Sequence, residues 1–153
     1  MADIRLGLIG DNIARSRSPL LHELAGRQNG CAVTYDRLVP RDLGRSFEEV
    51  FEACAAGGYR GINVTYPYKE RVASMVAIPD PLVRAIGAVN TVLFEPNGPQ
   101  GFNTDHSGFK FAYVGARGDT PPGVASMIGA GGVGRAIAFA LAALGAREIR
   151  IVD

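Results

Sequence analysis

Apolar positions in this chain come in short runs, most of them closed by a glycine, a proline or a small polar residue. "IRLGLIG" (4–10) predicts a buried strand, and "SPLLHELAGRQNG" (18–30) predicts a helix with Ser18 as N-cap and Pro19 at its first position. "CAVTYDRLV" (31–39) is a second strand, stopped by Pro40. In "RDLGRSFEEVFEACAAGG" (41–58), Leu43, Phe47, Val50, Phe51 and Cys54 fall at helical spacing before a Gly-Gly stop. "YRGINVTY" (59–66) predicts a third strand, and "PYKERVASMV" (67–76) the next helix, with Pro67 in the tolerated first turn.

This alternation of short apolar strands with amphipathic helices predicts an α/β sheet covered on both faces. "AVNTVLFE" (88–95) and "GFNTD" (101–105), joined by the tight "PNGPQ", predict an antiparallel pair, so the sheet is mixed. "HSGFKFAYVGAR" (106–117) follows as a helix, and "GDTPPG" (118–123) carries the strongest linker signal in the chain. The remainder, "VASMIGAGGVGRAIAFALAALGAREIRIVD", reads as strand, glycine turn, helix and strand. The expected fold is therefore a mixed-sheet α/β unit over residues 1–117, then the first β-α-β of a Rossmann-type nucleotide unit over 118–153. Such a unit normally has two halves, so the chain reads as cut off within it.

Composition narrows the partners. The chain has 153 residues, 47% hydrophobic and 20% charged, with a formal charge of +1 and interspersed signs. There is no basic stripe for nucleic acid and no polybasic segment for an anionic membrane. No apolar run reaches the roughly 18 residues that a membrane-spanning helix needs. A small-molecule partner is expected. Cys31 and Cys54 form no metal-ligand spacing, so no metal is expected, and without a secretory leader pattern they fit a reducing compartment, read as the cytoplasm.

"GAGGVG" spans Gly129, Ala130, Gly131, Gly132, Val133 and Gly134, and places Gly129, Gly131 and Gly134 in a G-x-G-x-x-G pattern between a strand and a helix. Gly129 permits the tight turn, Gly131 lets backbone approach a pyrophosphate, and Gly134 lets the helix pack closely on the strand, while the helix N-terminus supplies N–H donors. Asp153 lies 19 positions beyond Gly134 at the end of the second strand, where a carboxylate bonds ribose hydroxyls and repels a 2′-phosphate. The expected cofactor is NAD, with NADP as the alternative.

Four further segments, "SRSP", "NVTYPYK", "AVNT" and "NTD", place small polar residues at strand ends, where ligands sit in open α/β sheets. They supply hydroxyls, amides, one carboxylate and one ammonium, a set suited to a small polyhydroxylated acid. Each also has a local explanation. Ser16 and Ser18 turn and cap, Asn63 and Thr65 pair exposed backbone, Asn90 and Thr91 form a bulge, and Asp105 is a conventional N-cap. Lys69 stands in a first helical turn, where the macrodipole prefers acids. His22 is expected to pack, and Tyr66 and Tyr68 to form pocket wall.

Taken together, "SRSP..H" (Ser16 to His22), "GINVTYPYK" (Gly61 to Lys69), "GAVNT" (Gly87 to Thr91), "NTD..GF" (Asn103 to Phe109) and "GAGGVGRA" (Gly129 to Ala136) resemble the shikimate and quinate dehydrogenase family, in order and at compatible spacing. The resemblance implies a substrate domain before a nucleotide domain, with reversible hydride transfer between a nicotinamide and the ring carbon that links shikimate with 3-dehydroshikimate, or quinate with 3-dehydroquinate. It assigns the substrate carboxylate to Ser16 and Ser18, ring hydroxyls to Asn63, Thr65, Asn90 and Asp105, and the acid/base role to Lys69 with Asp105 as partner. Glu23, Tyr66 and His106 depart from common family residues. "NTDHSGF", "TYPYK" and Asp153 look closer to NAD-preferring quinate/shikimate members, whereas Ser18 stands where members that accept quinate often have threonine. The remaining alternatives are a dehydrogenase of another polyol acid such as aminoshikimate, and a non-catalytic sensor. The expected assembly is a monomer or homodimer.

Overall fold

A computed structural model describes residues 3–153, so the first two residues of the predicted 1–117 unit lie outside the described residues. The elements run β1 (Asp3–Ile9), α1 (Ser18–Gln28), β2 (Ala32–Leu38), α2 (Phe47–Ala56), β3 (Gly61–Val64), α3 (Lys69–Ala73), α4 (Pro81–Ile86), β4 (Thr91–Glu95), β5 (Gly98–Phe102), α5 (Asp105–Arg117), β6 (Val124–Ile128), α6 (Gly132–Ala143) and β7 (Glu148–Val152). The first five strands form one sheet in the order β2-β1-β3-β4-β5. β1 pairs in parallel with β2 and β3, while β3–β4 and β4–β5 are antiparallel, which makes the sheet mixed.

The central strands carry the core. Ile9, Ile62, Val64 and Val92 from β1, β3 and β4 pack with Phe47, Val50, Phe51 and Cys54 of α2 and Val72 of α3 in one buried cluster. α2 begins at Phe47 and not at residue 41, because Ser46 forms a reciprocal cap: its Oγ accepts from the Glu49 N–H and its own N–H donates to Glu49 Oε2. Leu43 is thereby left in the preceding turn and half exposed. Pro99 lies inside β5, tolerated because β5 is an edge strand whose outer side makes only the isolated bridge to Ala77, where Pro99 has to accept and not donate: its carbonyl takes the Ala77 N–H at 3.0 Å.

Two expected caps are replaced. Arg17 occupies the N-cap position of α1 without a capping bond from its side chain, Ser18 is the first helical residue and Pro19 the second, and the Ser18 N–H donates to Ser16 Oγ. Thr104 precedes α5, and Asn103 Oδ1 accepts from the N–H groups of Asp105 and His106 at 2.9 and 3.4 Å. Asn103 satisfies the first-turn donors, and the Asp105 carboxylate is released for another partner. Pro67 also stands outside a helix, in the turn after a cis Tyr66–Pro67 bond, and α3 starts only at Lys69.

Residues 118–123 carry no strand or helix and lead to β6, α6 and β7, where β6 and β7 pair in parallel from Val124↔Glu148 to Ile128↔Val152. Ala136 of α6 is fully buried against Ile86 and Ala88, so the β-α-β segment docks on the end of α4 and the approach to β4.

Candidate active site

Because β1, β3 and β4 are neighbours, the residues that follow or precede them meet at one end of the sheet. The loop after β1 brings Ser16 and Ser18, the end of β3 brings Asn63 and Thr65, the approach to β4 brings Asn90, and the first residues of α3 and α5 are Lys69 and Asp105. Ser16, Ser18, Asn63, Thr65, Lys69 and Asn90 line a cavity of about 400 Å³, together with Asn12, Ile13 and His22.

Lys69 Nζ donates to Asp105 Oδ2 at 2.7 Å, with the two side chains 11% and 23% exposed. The pair is mostly withdrawn from water, and Asp105 joins the cavity through this bond. The backbone holds the lysine in place, since the Val89 N–H donates to the Lys69 carbonyl at 2.8 Å.

The neutral side chains are already oriented. Ser16 Oγ donates to Ser18 Oγ at 3.1 Å and accepts from the Ser18 N–H. Asn90 Oδ1 accepts from the Thr91 hydroxyl and the Thr104 N–H, and its Nδ2 donates to Thr104 Oγ1, which leaves one N–H free. Asn63 Oδ1 accepts from Tyr35 Oη at 2.7 Å while its Nδ2 faces the Asn90 carbonyl and Thr91 Oγ1, which leaves one acceptor position open.

Tyr35 was not legible as part of the site. It lies on β2 opposite Leu6, and Asn63 lies on β3 opposite Leu8, so the phenol reaches across β1. Burial pushes its hydroxyl up to about 12, against the weaker opposing effects of nearby Ser18 and Arg37, which keeps it a donor. His22 packs as expected, stacked on Tyr35 at 4.9 Å between ring centroids, yet it also borders the cavity. Tyr66 is exposed pocket wall. Tyr68 is not: it stacks on Phe47 and donates to Asp11 Oδ1, as part of the core. The Cys54 thiol is buried and pushed up to about 11, consistent with an inert structural residue.

A second cavity of about 540 Å³ lies on the other side of Lys69. Thr65, Tyr66, Pro67, Lys69 and Glu70 form one wall, and Met127, Ile128, Gly129, Gly131, Gly132, Val133, Gly134 and Ile137 the other. A Cβ at Gly134 would lie 2.2 Å from the Gly129 carbonyl oxygen, which enforces the predicted close packing, and Gly129 turns at φ +95°. A Cβ at Gly131 would meet nothing within 4 Å, so the backbone there is open to a ligand. Gly131 caps α6 without a side chain, so first-turn N–H groups are not taken by a cap. An open, positively polarised turn of this kind fits the pyrophosphate of a dinucleotide. Ala130 and Asp153 meet each other, the Ala130 N–H donating to Asp153 Oδ1 at 3.0 Å.

Gly132 has a reason the sequence did not disclose. A Cβ at this position would stand 3.0 Å from Lys69 Cβ and 3.3 Å from Ala88 Cβ, so the start of α6 presses directly on the lysine stem. Thr65 and Lys69 border both cavities.

Fold and site together define a mixed-sheet ligand-binding unit joined to the opening β-α-β of a dinucleotide-binding unit, with one lysine between the two cavities. Residues 8–92 match the shikimate dehydrogenase substrate binding domain, and the chain belongs to the shikimate dehydrogenase family. It is 37% identical to a quinate/shikimate dehydrogenase (NAD(+)) of Corynebacterium efficiens over 98% of this chain and 54% of that protein. It is 43% identical to a shikimate dehydrogenase (NADP(+)) of Natronomonas pharaonis over 96% of this chain and 53% of that protein. The quinate dehydrogenase from Corynebacterium glutamicum, solved in complex with NAD, superposes with a TM-score of 0.89 at 34% identity, over 99% of this chain and 55% of that one. The chain thus spans about half the length of the curated relatives it matches. No described helix is long and apolar enough to cross a membrane.

Proposed function

We propose that the protein to which this chain belongs is a nicotinamide-dependent oxidoreductase that interconverts shikimate and 3-dehydroshikimate, with quinate and 3-dehydroquinate as the related pair. In this reading residues 1–117 form the substrate domain and 118–153 the first β-α-β of the cofactor domain. The observation that carries it is the position of Lys69, which borders the polar cavity and the glycine-turn cavity at once and is held by Asp105.

Ser16 and Ser18 offer hydroxyls to the acid's carboxylate, while Asn63, Thr65 and Asn90 offer their remaining hydrogen-bond positions to ring hydroxyls. Oxidation of a ring alcohol requires its hydroxyl proton to leave as the carbon loses hydride. Lys69 in its neutral form takes that proton, and Asp105 then steadies the ammonium; in reduction the ammonium stabilises developing alkoxide charge and returns the proton. The nicotinamide, when bound, supplies the hydride acceptor or donor. Gly129, Ala130, Gly131, Gly132, Val133 and Gly134 would hold the cofactor, and the Asp153 carboxylate, anchored on Ala130, disfavours a 2′-phosphate, so NAD is the cofactor expected. The free thiols of Cys31 and Cys54 suit a cytoplasmic enzyme.

Steady-state kinetics of the full-length protein, crossing shikimate and quinate with NAD and NADP, test this reading. NAD-dependent turnover of one of these acids is the expected result. A wide preference for NADP would overturn the assignment of Asp153, and absence of turnover with every pair would overturn the activity.

A further inference from the structure

Lys69 and Gly132 belong to segments far apart in the chain that are brought together where α6 docks on α4 and the approach to β4. One guanidinium spans the gap. Arg135, in the first turn of α6, places Nη2 2.9 Å from Glu70 Oε2, and its Nε donates to the Ala130 carbonyl at 3.3 Å. Glu70 is the residue after Lys69, and Ala130 lies within the glycine turn. Arg135 therefore ties the acid/base turn to the phosphate-facing turn by two bonds from one planar group, a geometry suited to guanidinium. Gly87, which ends α4 in the left-handed region at φ +68°, lies beside the guanidinium, where a Cβ would stand in ordinary contact at 3.5 Å from Arg135 Nη1.

We infer that Glu70 and Arg135 form an ionic strap across the cleft that holds the glycine turn at contact distance from Lys69, and that both are positioning residues for hydride transfer. This rests on the activity proposed above. Both side chains are nearly half exposed, at 43% and 46%, so their pairing adds little to the stability of the fold. Its effect lies in separation. Lys69 handles the proton and the glycine turn fixes the cofactor, and a displacement of one relative to the other lowers the fraction of bound complexes in reactive geometry. Glu70 also lines the glycine-turn cavity, so a competing role for Arg135 is to neutralise a carboxylate that would repel pyrophosphate.

The variants Glu70→Gln, Arg135→Gln and the double variant separate these roles in the full-length protein. The strap predicts that each single change lowers kcat about 10-fold, that the double change costs no more than either single, and that KM for the acid moves by less than about 2-fold. It also predicts faster hydrogen exchange at the amides of residues 136–138, the bonded amides that follow the open first turn of α6, in all three variants without cofactor, at unchanged melting temperature. Unchanged kcat and unchanged exchange would overturn the strap. So would recovery of wild-type NAD affinity in the double variant after a loss in Arg135→Gln alone, which is the signature of charge neutralisation. Faster exchange in the variants of a protein whose wild type turns over none of the acids would support the strap and overturn the proposed activity instead.

Discussion

Lys69 Nζ and Asp105 Oδ2 stand 2.7 Å apart, one from the first residue of α3 and the other from the first residue of α5. An acid at the start of α5 suits that helix's macrodipole, whereas a lysine at the start of α3 does not, so the carboxylate compensates an otherwise unfavourable cation. Lys69→Ala is expected to lower kcat of the full-length enzyme by roughly 10² to 10⁴ with comparatively little change in KM for the acid. Asp105→Asn keeps the shape of the side chain but removes its charge, and is expected to lower kcat in the same direction. Steady-state kinetics check both, and a near-normal kcat in Lys69→Ala would remove that residue from the mechanism.

The two glycines Gly131 and Gly134 have separable duties. In Gly134→Ala the new methyl would collide with the Gly129 carbonyl oxygen, which is backbone and cannot swing away, so a loss of about 1–3 kcal/mol in unfolding free energy is expected. Gly131→Ala meets open space and is expected to leave stability within about 0.5 kcal/mol while weakening nucleotide binding, because the methyl occupies the approach to the turn. Urea unfolding and nucleotide titration of the two variants should give opposite patterns.

Tyr35→Phe removes the donor to Asn63 Oδ1 without changing the ring that stacks on His22. The part-buried amide then loses its orienting bond, at a cost of about 1–2 kcal/mol in stability. Because Asn63 faces the acid and not the proton transfer, KM for the acid should rise several-fold, roughly in line with one weakened hydrogen bond, and kcat should move little. A fall in kcat at constant KM would assign Tyr35 a different role.

Stability should decline with acid in two separate ranges. His106 is buried with its Nε2 unpartnered among the described residues, and burial, with Lys110 nearby, lowers its pKa below the ordinary 6.5. The unfolded chain therefore takes up this proton first, and stability should fall as pH drops below about 6.5. Asp36 is held below its ordinary 3.8 by the Tyr59 hydrogen bond and by Arg5, so its contribution is present above that value and disappears only at still lower pH. Urea midpoints measured from pH 7 to pH 2 should show both declines, and His106→Gln should flatten the upper one alone.

Periodicity located most of the strands and long helices because burial of one face imposes it, as in α2, where Phe47, Val50, Phe51 and Cys54 all enter the core. Ends were less legible, since several side chains compete for the same first-turn donors. Ser46, and not a residue near 41, caps α2; Asn103 takes the capping bonds expected of Asp105, which is why Asp105 can hold a lysine. α4 is too short for periodicity to mark, although "DPLVRAIG" contains its end signals: Asp80 accepts from the Leu82 N–H, Pro81 opens the helix, and Gly87 closes it. The polar residues of the site were readable as strand-end punctuation. Tyr35 and Arg135 were not, because each acts across a neighbour that only the strand order β2-β1-β3 or the docking of α6 on α4 brings close.

The press of Gly132 against the Lys69 stem also bears on recombination. A hybrid that joined the first 117 residues to a foreign nucleotide-binding unit would keep this contact unchanged where its partner also offers bare backbone here, since a Cβ would stand 3.0 Å from Lys69 Cβ. Any larger residue would shift the lysine or tilt the incoming helix. The two segments are therefore matched parts, and a unit bringing a side chain to position 132 needs the lysine stem to give by a few tenths of an ångström.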